Sequence, residues 1–139
     1  MHLHPVVFSI LMQHAAEWGI RHVRLTRDLF WFNAKLAGGA WFYRASHAFT
    51  YRVLSARARS ALVRQSIQFT PRVFGLLQSA RVDERYVAKL LSKLPPGDSE
   101  LYSHPSLDQS KNEFDALVSP GVKSLVGQQG IQLVRYQDL

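Results

Sequence analysis

Six histidines and no cysteine set the terms on which this 139-residue chain can handle a metal ion or a proton. Thiolate sites and disulfides are excluded, so any metal must be held by imidazole, carboxylate or water. His2 and His4 flank Leu3; on a strand both imidazoles would point to one face, as a metal site on the rim of a sheet requires. The bland reading of the same pair is a solvated chain start. His104 precedes Pro105, and an imidazole held on a rigid loop can act as general acid or base because histidine ordinarily titrates near neutrality. Bonding of that ring to loop backbone is the plainer alternative. His14, His22 and His47 have no partners at readable spacing and are assigned structural or surface roles. A Gly-x-Ser-x-Gly turn, a phosphate loop and a dinucleotide fingerprint are all absent, which removes the common serine hydrolase and nucleotide-binding classes.

The elements that must position these groups alternate between strand and helix. Residues 1–4 read as the end of a strand, and Pro5 opens a helix with apolar residues at helical spacing from Val6 to Trp18 and a stop at Gly19. A short strand is expected over residues 21–25. Residues 26–45 are aromatic and irregular, with Gly38 and Gly39 against helix, and residues 46–65 read as a long helix. Residues 73–77 suit a buried strand. Asp83 then caps a helix, with Val82 placed to staple Val87, and Pro95-Pro96-Gly97 ends it. Residues 100–103 form a strand whose end delivers His104, residues 106–111 are the most linker-like stretch, and Ser119-Pro120 opens a last helix before a strand over 131–136. Such alternation predicts an α/β fold with parallel strands, an incomplete (β/α) barrel of about five strands with chemistry at the carboxyl ends.

The composition, 47% hydrophobic and 19% charged, fits one globular domain. No run reaches the roughly 20 apolar residues that cross a bilayer, and Met1-His2-Leu3-His4-Pro5 lacks the regions of a signal peptide, so a cytoplasmic location is expected. The net charge of +7 attracts anions in general: nucleic acid, acidic lipid headgroups or phosphorylated molecules. Basic residues gather between Arg44 and Arg72 among Trp41, Phe42, Tyr43, Phe49 and Tyr51. That segment fits either a helix resting on an anionic inner-membrane surface or a solvated helix whose arginines cover apolar surface.

Several ordered motifs carry a resemblance. Phe74-Gly75-Leu76-Leu77-Gln78-Ser79, a helix ending in Leu94-Pro95-Pro96-Gly97, and Glu100-Leu101-Tyr102-Ser103-His104-Pro105 are similar to the YdjC-like carbohydrate deacetylases. Met1 to Phe8 resembles the end of that family's histidine-rich strand, and the segment from Leu117 to Leu139 resembles its C-terminus, nearest to the hopanoid biosynthesis-associated (HpnK) branch. Ser103 stands where cysteine is common and Ala80 where glycine is common.

The resemblance implies the C-terminal part of a single deacetylase domain over residues 1–139, on a distorted (β/α) barrel, with the family's N-terminal aspartates lying upstream. It implies a divalent ion, Mg2+ or Zn2+, with His2 or His4 as the ligand from the histidine-rich strand, and His104 as a catalytic residue. The implied substrate is an N-acetylglucosaminyl hopanoid lipid, with a chitooligosaccharide as the rival within the family. The chain alone is then expected to be inactive, completed by a homo-oligomer or a separate N-terminal half, and to have no nucleic-acid partner. A non-catalytic basic module that binds membrane or nucleic acid is the reading from a different class.

Overall fold

A computed structural model of the chain describes residues 3–25, 41–78 and 81–138. Helix α1 spans Pro5–His14, with Pro5 at a position where its missing N–H costs nothing and its fixed φ suits a helix. The turn after it closes at Gly19, whose φ of +64° is natural for glycine. Helix α2 spans Trp41–Arg64, so the 41–45 stretch expected to be irregular is helical; Gly38 and Gly39 lie outside the described residues. Strand β1 is Val73–Phe74, helix α3 is Glu84–Leu91, strand β2 is Glu100–Leu101, and helices α4 and α5 are Lys111–Val118 and Pro120–Gln128.

β1 and β2 pair in parallel, Val73 opposite Glu100 and Phe74 opposite Leu101. The expected strand over residues 21–25 is reduced to one parallel bridge, His22 with Gln68, tied by Val23 N–H to the Gln68 carbonyl at 2.9 Å and Gln68 N–H to the Arg21 carbonyl at 2.8 Å. Parallel pairing with helices between the strands makes the fold α/β, as alternation predicts.

The expected elements differ in extent where local geometry overrides pattern. Gly75, at φ +94°, turns the chain out of β1 into a 3-10 turn at Leu76–Gln78, so the apolar run after Phe74 is not strand. Residues 3 and 4 form a turn into α1 instead of a strand end. The predicted strand over 131–136 is irregular and ends in a 3-10 turn at Tyr136–Asp138, with Leu133 and Val134 exposed. A strand exists only where a neighbouring edge accepts its amides, and here an Arg135–Asp138 ion pair closes a local turn instead. Helix α4, by contrast, lies beside a stretch the pattern marks as linker.

Two apolar clusters hold these parts. Phe74, Val82, Tyr86, Val87, Leu90, Ala116 and Val122 pack α3, α4 and α5 onto one face of the strand pair. Leu3, Ala15, Val23, Leu25, Ala58, Leu62 and Ile67 join α1, α2 and the bridged segments. The caps that sequence predicts are present: Asp83 accepts from Tyr86 N–H at 2.7 Å, and Ser119 Oγ accepts from Gly121 and Val122 N–H at 3.1 and 3.3 Å while donating to Glu84 Oε1 at 2.6 Å. Asp83→Ala is expected to lower stability by about 1 kcal/mol, read as a shift in the urea midpoint with an unchanged slope.

Candidate functional site

Parallel register puts the carboxyl ends of β1 and β2 on one edge, where Gly75 and Tyr102 pass in close contact. A Cβ on Gly75 would overlap the Tyr102 carbonyl oxygen and lie 3.2 Å from its carbon. Tyr102 N–H continues the ladder to the Phe74 carbonyl at 2.8 Å, one residue beyond β2. Alternation along this stretch sends Glu100 and Tyr102 to one face and Leu101 to the apolar cluster on the other.

His104 is exposed at this edge, and it is held at two points. Its Nε2 lies 2.7 Å from the Tyr102 hydroxyl, with the rings edge-on at 4.7 Å between centroids. Its backbone N–H donates to Glu113 Oε2 at 2.5 Å, while Glu113 Oε1 accepts from Val82 N–H at 3.3 Å. Glu113 is fully buried, on the first turn of α4. A buried carboxylate is tolerated only when its oxygens are satisfied, and here the two bonds tie the loop after β2 to the loop before α3.

Beside this pair the Arg24 guanidinium forms an ion pair with Glu100 and lies 5.1 Å from the Tyr102 ring centroid. Tyr136 sits half-buried with His22 edge-on at 5.9 Å between ring centroids. Burial pushes its phenol above the ordinary value. A polar row thus runs along one face of the strands, from Tyr136 and Thr70 to Glu100, Arg24, Tyr102 and His104. An apolar cavity of about 460 Å³ lies on the opposite, helical side, lined by Phe74, Leu90, Leu101, Val122 and Val126, with none of the histidines in its wall.

Of the two expected metal ligands, His2 lies outside the described residues. His4 is the N-cap residue of α1, exposed, with no side-chain capping bond. Among the described residues, no group of three His, Cys, Asp or Glu side chains is placed to hold a metal ion. A catalytic zinc site ordinarily takes three protein ligands with one position open, so the described residues do not by themselves fit the implied metal. His104 bonds within its own edge, to Tyr102 and Glu113, and His14 pairs with Glu17 at 2.8 Å and stacks on Trp18.

Sequence reasoning singles out His104 and misses its supports. Tyr102 was open to discovery, since two residues apart on a strand means a shared face. Glu113 and Arg24 carried no such signal. A family model described as YdjC-like protein matches residues 1–128. No curated protein and no solved structure matches the chain.

Proposed function

The chain belongs to the YdjC-like family, and from that premise we propose that it serves as a carbohydrate deacetylase, hydrolysing the acetamide of an N-acetylglucosaminyl hopanoid lipid. The family match over residues 1–128 supports the carbohydrate-deacetylase part of this reading, and the lipid substrate rests on the resemblance of the chain's C-terminal segment to the hopanoid-associated branch. The parallel pair, with helices packed on one face and a polar row on the other, suits part of a distorted (β/α) barrel, in which reactive groups gather at the strand carboxyl ends.

In the hydrolysis, water adds to the acetyl carbonyl carbon, the C–N bond breaks, acetate leaves, and the sugar nitrogen takes a proton. His104 is the group proposed to supply that proton. With Nε2 engaged by the Tyr102 hydroxyl, Nδ1 is the ring atom that meets the leaving amine, and the clamp of Glu113 on the His104 backbone fixes where the ring stands. The family's divalent ion, Mg2+ or Zn2+, is proposed to draw His2 or His4 from this chain. Because the described residues fall short of a three-ligand site, the chain by itself is proposed to be inactive, with the other ligands coming from a further polypeptide or segment.

Disrupting the gene in its own organism tests this with all partners present. The N-acetylglucosaminyl hopanoid should accumulate; the wild-type gene should restore its deacetylation, and His104→Ala should not, since loss of a general acid removes roughly a hundredfold or more of rate. Loss of chitooligosaccharide deacetylation with an unchanged lipid profile would select the oligosaccharide substrate instead. If neither changes, the deacetylase reading fails.

A further inference from the structure

Charge is distributed unevenly along the chain. Residues 1–82 hold eleven of the 17 basic residues and two of the ten acidic ones, and residues 29–82 contain eight basic residues and no acidic one. Helix α2 lies within that stretch and carries apolar residues on both its inward and its outward side, with the arginines between them. Leu54, Ser55, Ala58 and Leu62 turn inward, with Ala58 and Leu62 in the core.

The outward face is apolar at its centre and cationic along both sides. Phe49, Val53, Ala56, Ser60 and Val63 follow one another at spacings of four and three residues, which keeps them in a single stripe. All five are exposed, Phe49 by 71% and Val63 by 59%. At 3.6 residues per turn, Arg52 and Arg59 fall along one flank of that stripe and Arg57 and Arg64 along the other. All four arginines are exposed too, and the Arg59 guanidinium reaches 6.0 Å from the Phe69 ring centroid. Helix α1, which packs against α2, adds exposed Val6, Val7 and Ile10.

We propose that the outward face of α2 docks on an anionic lipid bilayer, with the Phe49–Val63 stripe in the headgroup boundary and Arg52, Arg57, Arg59 and Arg64 on lipid phosphates. Charge complementarity identifies the partner class, and the apolar centre separates a bilayer from nucleic acid. A duplex would meet the arginines but leave Phe49, Val53 and Val63 in water, whereas an interfacial helix buries its apolar stripe while its flanking cations stay at headgroup level. No helix among the described residues is long and apolar enough to cross a membrane, so the contact is peripheral. This inference is independent of the deacetylase reading.

Flotation of the full chain with phosphatidylcholine vesicles, with and without phosphatidylglycerol, tests it at low and physiological salt. Binding should require the anionic lipid and weaken with salt. Either R52E/R59E or R57E/R64E should lower partitioning by about twentyfold or more, given about fivefold per basic side chain near such a surface. F49S/V63S should also weaken it, at unchanged net charge. All six substituted positions are exposed, so far-ultraviolet dichroism should match wild type, and the two arginine pairs serve as independent variants should one perturb folding. Absence of flotation, or flotation indifferent to F49S/V63S, overturns the proposal. Retention on duplex DNA that needs the arginines but not Phe49, in the absence of vesicle binding, overturns it in favour of nucleic acid.

Discussion

Glu113→Ala is expected to destabilise the fold severely, moving the urea midpoint well below that of wild type. The substitution strips the acceptors from two amides at once, those of His104 and Val82. It also opens a void beneath α4 where the side chain is fully buried. An unsatisfied buried donor costs about 1–3 kcal/mol; that applies in full to the buried Val82 amide and less to the part-buried His104 amide, against a whole-domain stability of about 5–15 kcal/mol. Glu113→Gln keeps one carbonyl oxygen and turns a donor toward the second amide, so an intermediate loss is expected. Urea midpoints rank the three proteins. In the glutamine variant the His104 amide proton should also move upfield, because a short bond to a charged acceptor has been replaced by a weaker one. A midpoint for Glu113→Ala within error of wild type would remove Glu113 as the clamp between the two loops.

Gly75→Ala should be comparably damaging, for a backbone reason. At φ +94° a side chain is strained by about 1–3 kcal/mol. In addition its Cβ would overlap the carbonyl oxygen of Tyr102, which belongs to backbone and cannot rotate aside. The strands must therefore part at their carboxyl ends, and the Tyr102 amide should lose the exchange protection that its bond to the Phe74 carbonyl provides. Gly130→Ala is the control: φ is +62° but nothing lies within 4 Å of the added carbon, so strain acts alone and the loss should be smaller. Equal effects at the two positions would show that crowding at the sheet edge is unimportant.

Both substitutions bear on the placement of His104 rather than on its chemistry. The residue follows a strand held to β1 through Gly75's close approach, and its amide is gripped by Glu113. A loop tied at two ends holds an exposed ring within a narrow range, as the general-acid role proposed for His104 would require. That His104 follows β2 was legible from the strand pattern and from Pro105 after it, although the strand expected over 100–103 ends at Leu101. The expectation that His4 would stand on a strand was not met, because Pro5 starts α1 at once and the residues before it turn into that helix.

The sequence by itself determined the local devices: the Asp83 and Ser119 caps, Pro5 and Pro120 at helix starts, the turn at Gly19, and alternation strong enough to predict an α/β fold with parallel pairing. These rest on φ preferences and on hydrogen bonds spanning three or four residues, so the information lies within each segment. Only the tertiary structure decided that 73–77 is two residues of strand and then a turn, that 131–136 is not strand, and that Glu113, nine residues after His104 and 31 after Val82, meets both. Strand extent depends on whether a partner edge lies alongside, and a buried carboxylate finds its donors only once packing has excluded water. Neither condition is written in the spacing of residues along one chain.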